Sequence, residues 1–319
     1  MQYNDSYYSD FSSYFNIRKT DLIYPLFVHE NTNYKEIEYM PELYKIPLSK
    51  LEDEIEKILN LGIKSVILFG IPKSRNKFGT SSFSTNGVIQ KSLKIIRKNF
   101  GNKISLFTDV CLCQYNHSGH CGISRSNATI VDNDLTLTYL SKIAISHAIS
   151  GADVVAPSSM MDGQVKFIRS KLDDAGFKNI KILSFSAKHS SSLYKPFRFN
   201  AFYQSNKVKF DKSSYQISCS NPNQLLREID YDRIESADMV MIKPALFYLD
   251  MIYRIKNSCN LPLVVQIVSG EYCMIKALSE IRNIDEIYLT LSMIKDLKRA
   301  GANKIISYSS LKLSPFLLN

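Results

Sequence analysis

Eight short apolar runs alternate with amphipathic segments along the chain, and this alternation constrains the fold more than any other feature of the sequence. Short apolar runs bounded by turn residues are typical of buried strands, and the apolar spacing between them is helical. We predict strands over residues 21–28, 65–70, 104–110, 153–158, 180–188, 239–243, 263–268 and 304–308. We predict helices over residues 51–61, 88–100, 135–150 (with Asp134 as N-cap), 165–175, 223–235, 249–258, 271–281 and 285–300, and a short last one from residue 311.

Glycines recur where the predicted helices lead into strands, at Gly62, Gly151, Gly176 and Gly301. A doubly wound sheet would be expected to carry a glycine-rich phosphate loop after its first strand, and this sequence has none. No internal break divides the repeating pattern. The sequence therefore predicts a single (β/α)₈ TIM barrel over residues 21–319, preceded by an extended, Ser/Tyr/Asn-rich N-terminal arm of residues 1–20.

Composition narrows the classes of function. Hydrophobic residues make up 45% of the chain, yet no apolar run reaches the length of a membrane span. The N-terminus has neither the basic nor the apolar region of a secretory signal, so we expect a cytoplasmic protein. The formal net charge of +10 comes from scattered lysines without a dense basic block, which argues against a nucleic-acid partner.

Polar residues follow the buried strands, at the barrel end where active sites of this fold lie. They are Asp109, Ser158, Lys188, Lys243, Ser269 and Tyr308. Lys188 and Lys243 end neighbouring strands, so each disfavours the charge of the other, and burial lowers the pKa of an amine further. A neutral amine attacks carbonyl carbons. Two such amines indicate a condensation of two carbonyl substrates, whereas Lys243 alone would equally suit a strand-end lysine that reaches solvent.

Three cysteines lie just after the third strand, in the spacing C-x-C-x₇-C: Cys111, Cys113 and Cys121. Such clustering is typical of a metal or reactive site in a reducing compartment, and zinc suits three thiolates. His117 or His120 would complete a closed structural site, whereas a catalytic site would leave the fourth position open. We favour the open form because the loop follows a strand end, and a metal-free triplet is the remaining alternative. The long polar stretch over residues 189–220 predicts a functional lid or loop.

Several motifs in these regions closely resemble the porphobilinogen synthase (5-aminolevulinate dehydratase) family, in its zinc-dependent branch. They are Asp109-Val110-Cys111-Leu112-Cys113 with Gly119-His120-Cys121-Gly122, Ala156-Pro157-Ser158 with Met160-Met161-Asp162-Gly163, Ser186-Ala187-Lys188, Pro196-Phe197-Arg198, Val240-Met241-Ile242-Lys243-Pro244 and Val268-Ser269-Gly270-Glu271-Tyr272. The resemblance runs from about residue 21 to the end. It implies a lyase that condenses two 5-aminolevulinates into porphobilinogen, with loss of two waters, in the biosynthesis of haem and other tetrapyrroles.

The resemblance also implies residue roles. Lys243 would form the Schiff base with the first substrate and Lys188 with the second, beside the polar residues Asp109 and Ser158. Substrate binding would fall to Arg198 and Lys212 for the second carboxylate, Ser269 and Tyr308 for the first, and Tyr194 and Phe197. The three cysteines would hold Zn²⁺, and Glu228 stands where some bacterial members place an allosteric Mg²⁺ ligand. The family assembles as a homo-octamer through its N-terminal arms.

The sequence departs from the family at several positions. Lys212 stands where an arginine is usual, which loses the bidentate fork and predicts weaker binding of the second substrate. Gln164, Ser159 and Gln266 replace an arginine, an aspartate and an aromatic residue. Two other hypotheses about the function stay open. One is a class I aldolase-like Schiff-base lyase with one working lysine and a structural zinc, and the other is a decayed, non-catalytic barrel kept as a basic scaffold.

Overall fold

Eight parallel strands close into a barrel, as the sequence predicts. The computed structural model describes residues 4–124, 130–201, 212–218, 221–282 and 284–319. Its strands are β1 (Leu22–His29), β2 (Lys35–Glu36), β3 (Tyr44–Pro47), β4 (Ser65–Ile71), β5 (Ser105–Val110), β6 (Val154–Pro157), β7 (Lys181–Lys188), β8 (Met239–Lys243), β9 (Leu263–Gln266) and β10 (Lys304–Ile306). Strands β4 to β10 pair in sequence order, and β1 closes the ring between β4 and β10.

The described residues form helices that lie mostly on the outside of the barrel. They are α1 (Asp5–Tyr14), α2 (Leu51–Asn60), α3 (Val88–Phe100), α4 (Asn133–Ser150), α5 (Gln164–Asp174), α6 (Lys195–Ala201), α7 (Pro222–Ile234), α8 (Leu249–Ser258), α9 (Ser269–Arg282), α10 (Glu286–Ala300) and α11 (Ser310–Leu313). The predicted N-cap of α4 is wrong: Asp132, not Asp134, accepts the backbone N–H of Leu135. Gly151 and Gly301 follow α4 and α10 at positive φ, where a side chain would be strained.

The barrel interior is a layered apolar core built from alternate residues of successive strands. It contains Ile23, Phe27, Ile67, Phe69, Phe107, Val154, Ala156, Leu183, Phe185, Met239, Met241, Val264 and Ile306. Because side chains alternate across a strand, residues two positions beyond these also point inward, at the carboxyl end of the barrel. The interior is therefore filled by apolar packing, and the residues at the carboxyl ends of the strands face the mouth.

An insertion between β1 and α2 was not predicted and forms part of the mouth. Strand β10 pairs with the start of β1, at Leu22 and Ile23, whereas β3 pairs with its end, from Phe27 to His29. Buried residues of the insertion, Ile37, Met40 and Leu43, pack against the interior core. The short β2–β3 hairpin offered too few residues for a strand prediction.

The N-terminal segment is helical where the sequence predicts an extended arm. Helix α1 begins after Asn4, whose side chain accepts the backbone N–H of Tyr7. Its aromatic face packs on α10 and the C-terminal turn: the ring centroids of Tyr8 and Phe316 lie 5.0 Å apart. Burial of Tyr8, together with the N-cap, outweighs the weak helical propensity of this polar segment.

The predicted lid over residues 189–220 lies partly outside the described residues. The described part holds a 3₁₀ turn (Ser192–Tyr194), α6 and the segment 212–218. Among the described residues, no helix combines the length and the apolar character needed to cross a membrane.

Candidate active site

The two lysines lie side by side because of an irregularity in β7. Met239 and Met241 of β8 point into the barrel, so Lys243 does as well. In β7, strict alternation from Leu183 and Phe185 would send Lys188 outward. The register of β7 against β8 shifts between Ser184 and Ala187, and the extra residue re-aims Lys188 so that it pairs directly with Lys243.

Lys243 is buried in a mostly apolar environment. Its Nζ lies 4.4 Å from the ring centroid of Phe185 and donates a hydrogen bond to Gln266 Oε1 at 3.0 Å. Burial, and next the charge of Lys188, lowers the pKa of Lys243 to about 7. Its carbonyl oxygen accepts the N–H of His189 and the hydroxyl of Tyr194, which fixes the main chain at this position. An amine held in this way is a nucleophile near neutral pH.

Lys188 has a different electrostatic environment. Its Nζ donates a hydrogen bond to the carbonyl of Ser158 at 2.6 Å. Burial acts to lower the pKa of Lys188, but the negative charges of the cysteine cluster and of Asp109 outweigh it and raise that pKa. Ser158 Oγ donates to Asp109 Oδ1 at 2.6 Å, and burial raises the pKa of this carboxyl group.

The three cysteines form a buried cluster whose sulfur atoms all lie within 4.8 Å of one another. Sγ of Cys111 is 3.2 Å from Sγ of Cys113, and Lys212 Nζ lies 3.4 Å from Cys121 Sγ. His120 instead directs Nδ1 to the hydroxyl of Tyr215, and His117 is exposed. Within the described part of the chain, neither histidine joins the cluster.

A small cavity of about 50 Å³ lies between the lysines and the lid. Its lining residues are Phe69, Asp109, Cys113, Gln114, Ser158, Lys188, Tyr194, Phe197, Arg198, Lys212, Gln216 and Lys243. Nine of these were predicted as site residues, and they come from the carboxyl ends of four strands, the cysteine loop and the lid. A cavity of this size has room for a few water molecules and for much less than two substrate molecules.

Ser269 and Tyr308 lie next to this cavity without lining it. Ser269 Oγ donates to the carbonyl of Leu193 and accepts the N–H of Phe197, so it fastens the lid to the barrel. Tyr308 stacks on Phe27 and lines a neighbouring cavity of about 410 Å³. In the described part of the chain, both residues therefore lie at the edge of the cavity, in contact with groups that surround it.

Glu228 lies apart from the lysines. It lines a groove of about 800 Å³ together with Asp162, Asp232 and Glu235. Burial, and then these three carboxylates, raise the pKa of Glu228. Glu228, the predicted magnesium ligand, therefore lies in a groove lined by carboxylates and does not line the cavity between the lysines.

Four residues of the mouth had no role in the sequence prediction. Gln266 contacts Lys243, Gln114 Nε2 contacts Asp109 Oδ2 at 3.4 Å, and Gln216 lines the cavity. Glu271, fully buried, accepts backbone N–H groups from Ala245, Leu246 and Val268. These four residues lie within or beside the motifs that resemble the family, and this position in the sequence could have identified them as site residues. Their contacts follow only from the fold.

A (β/α)₈ barrel with paired buried amines and a cluster of three thiols at its mouth defines a barrel enzyme equipped for carbonyl chemistry beside a metal-ligand set. Residues 2–315 match the model of the family described as delta-aminolevulinic acid dehydratase. The chain therefore belongs to this family and is a lyase.

Relatives agree with this assignment. The delta-aminolevulinic acid dehydratase of Methanothermus sociabilis is 46% identical over 297 residues, 92% of this chain and 89% of that protein. The protein of the same name from Staphylococcus aureus (strain Mu50 / ATCC 700699) is 42% identical over 302 residues, 94% and 92% of the two chains. The crystal structure of delta-aminolevulinic acid dehydratase (porphobilinogen synthase) from Toxoplasma gondii ME49, in complex with the reaction product porphobilinogen, superimposes with a TM-score of 0.90 at 35% identity. It covers 93% of this chain and 85% of that one.

Proposed function

We propose that this protein condenses two molecules of 5-aminolevulinate into porphobilinogen, with loss of two waters, in the biosynthesis of haem and other tetrapyrroles. The observation that carries the proposal is the direct pairing of Lys188 and Lys243 on neighbouring strands. Two amines in one pocket suit two keto acids that must react with each other. The named relatives and the product-bound Toxoplasma gondii enzyme support the choice of substrate.

Lys243 takes the first substrate. With a pKa of about 7, a large fraction of its amine is neutral at physiological pH. The nitrogen attacks the ketone carbon and forms a carbinolamine, which loses its hydroxyl as water and leaves an imine. This substrate becomes the propionate side of the product.

Lys188 takes the second substrate, the acetate side, by the same reaction. Its higher pKa makes Lys188 the slower nucleophile of the two, which orders the two substrates in time. Asp109 and Ser158, hydrogen-bonded to each other, are placed to hold and move protons beside Lys188.

The substrate carboxylates need cationic and hydroxyl partners. Arg198 and Lys212 line the cavity and would bind the second carboxylate, whereas Ser269 and Tyr308 would bind the first. Tyr194 and Phe197 provide the aromatic wall. Because the cavity of about 50 Å³ cannot hold two substrates, the segment 192–201 must move away from Ser269 to admit them.

The cysteine cluster fits zinc by its donor chemistry. Three buried thiols within 4.8 Å of one another, with no histidine among the described ligands, match an open three-cysteine site. A bound zinc ion would supply Lewis-acid polarisation of a substrate oxygen. Mg²⁺ at Glu228 is part of the same proposal, supported by the neighbouring carboxylates of the groove.

Assembly and location complete the proposal. We place the protein in the cytoplasm as a homo-octamer, by likeness to the family. Helix α1 here packs on α10 of its own chain, so assembly through the N-terminal segment would require this helix to exchange that contact for one on a neighbouring subunit.

The proposal is tested by measuring porphobilinogen formation with and without chelator, with zinc added back, and by trapping with borohydride and 5-aminolevulinate. We expect turnover that chelation removes and zinc restores, and a covalent adduct on Lys243 located by peptide mass. Lys243→Ala should abolish both, whereas Lys256→Ala, at an exposed position of α8, should change neither. Absence of an adduct under turnover conditions would overturn the proposal. Full turnover by Cys113→Ala would indicate instead the aldolase-like lyase with a structural zinc.

A further inference from the structure

Gln266 ends β9 next to Lys243, in the layer of the barrel that carries the chemistry. Val264, two residues earlier, points into the core, so the alternation of the strand directs Gln266 inward as well. The pairing of Ile242 with Val265 places Gln266 beside Lys243 in the adjacent strand. Its side chain is 3% exposed, which is unusual for an amide unless it is hydrogen-bonded.

The oxygen of this amide is engaged by the amine. Oε1 accepts the hydrogen bond from Lys243 Nζ at 3.0 Å and is the sole acceptor for that nitrogen among the described residues. One amide oxygen at the end of β9 thus holds the reactive amine at the end of β8.

We propose that Gln266 is a positioning residue that holds the reactive nitrogen of Lys243 throughout imine formation. This inference rests on the proposed function, since it concerns the amine that would attack the first substrate. In the neutral amine, one N–H directed to Oε1 fixes the side chain and leaves the nitrogen lone pair free to face the cavity.

The same contact suits the product of the attack. The nitrogen forms its bond to the ketone carbon and loses one proton, and the carbinolamine hydroxyl then takes up a proton and leaves as water. The resulting iminium keeps a single N–H, which finds Oε1 already in place as acceptor. A hydrogen bond to the cationic nitrogen stabilises the electrophilic form of the intermediate.

The test is the pH dependence of borohydride trapping of 5-aminolevulinate on Lys243, in Gln266→Met and Gln266→Glu. Met keeps the length of the side chain without an amide acceptor, so the ammonium is less stable and the midpoint should move to lower pH. Glu adds a negative charge, so the midpoint should move to higher pH, each by about one unit. The other charged groups that face Lys243 are unchanged in both variants: Lys188, Asp109, Cys113 and Cys111.

Opposite shifts distinguish positioning of the amine from a merely structural role. Gln90→Met removes a buried glutamine of α3 that bonds Ser82 and Ser146, and it should lower stability with the trapping midpoint unchanged. If Gln266→Glu does not fold, Gln266→Leu replaces it, and both apolar variants must then shift the midpoint downward. Coincidence with the wild type, or shifts of Met and Glu in the same direction, would overturn the inference. A wild-type protein that traps no substrate would instead refute the proposed function.

Discussion

Lys243 shows how a single residue can serve chemistry at the expense of stability. Its amine lies in an apolar pocket beside a second lysine, and one hydrogen bond to Gln266 does not replace the water it has lost. Lys276 is a useful contrast, because it is equally buried but forms ion pairs with Glu42 and Glu286. The two lysines differ in their partners. The charge of Lys276 is paired with two carboxylates, whereas the amine of Lys243 has a neutral amide as its hydrogen-bond acceptor.

We therefore expect Lys243→Met to raise the melting temperature while abolishing adduct formation. The pKa of Lys243 is about 7 in the fold and 10.5 in the unfolded chain, so burial of the amine destabilises the fold fully below pH 7. The penalty declines as pH rises and vanishes above pH 10.5, because both states are then neutral. At pH 7 the gain should be about 2–4 kcal/mol, or about 5 °C.

The matched control is Lys276→Met, which removes an ion-paired lysine and should lower the melting temperature at the same pH. Calorimetry of both variants between pH 6 and pH 10 checks the sign, and a melting temperature of Lys243→Met below that of the wild type would contradict the prediction.

At the scale of elements, the lid and the barrel meet at a close backbone contact. A Cβ added at Gly270 would lie 2.7 Å from both Cα and the carbonyl oxygen of Leu193, so only glycine permits this approach. The same approach lets Ser269 bond the main chain of the lid at two points. The start of α9 therefore sets how tightly the mouth is closed.

Gly270→Ala should push the segment 192–201 away from Ser269 and loosen the lid. We expect faster proteolysis within this segment and a rise in KM of about ten-fold. A loss of about 1.4 kcal/mol of substrate-binding free energy, caused by misplaced contacts, corresponds to that factor.

Gly176→Ala provides the comparison for the lid variant. Gly176 has φ +86° and open space around it, so this change should cost about 1 kcal/mol of stability through backbone strain alone. An unchanged KM in Gly270→Ala, or an equal rise in both variants, would show that the contact does not control access.

At the scale of the whole molecule, the cysteine loop joins the barrel to the far side of the lid. The loop follows β5, and the hydroxyl of Tyr215 contacts both His120 Nδ1 and the N–H of Cys121. Lys212 reaches Cys121 from the same lid segment. A metal held by the thiols would therefore stabilise an arrangement that includes the strand end, the loop and the lid.

Zinc should accordingly raise the melting temperature of the purified chain by a few degrees, because a ligand that binds only the folded state stabilises it by mass action. At one hundred times the dissociation constant the gain is about 2.7 kcal/mol. Chelation should reverse the effect, and Cys113→Ala should remove it.

Cys259→Ala, which changes a buried cysteine of the helical layer, should retain the response to zinc. An identical response in the Cys113 variant would exclude the cluster as the stabilising site.

The alternation of apolar runs was enough to predict the barrel. Each helix or strand must bury one face, and the spacing of its apolar residues indicates whether it is a helix or a strand. Elements that depend on partners were not predictable in this way. Helix α1 is held by contacts with Tyr288 and Phe316, and the β2–β3 hairpin by the end of β1.

The sequence predicted which residue types form the site better than it predicted where their side chains point. The strand ends and cysteine spacing identified the groups, but alternation alone directs Lys188 outward, and only the irregularity in β7 brings it to Lys243. Gln266 appeared in the sequence as a departure from the family, whereas its contact with Lys243 depends on the register of three strands.

Strand β1 belongs to two hydrogen-bonded ladders on one edge, with β10 at its start and β3 at its end. Local opening of the insertion would therefore expose the amides near Phe27 to exchange with solvent while those near Leu22 stay protected by barrel closure. Strand β1 thus belongs to two cooperative units, the closed barrel and the insertion that contains β3. The wall of the mouth can fluctuate on its own timescale without loosening the ring that holds the two amines in register.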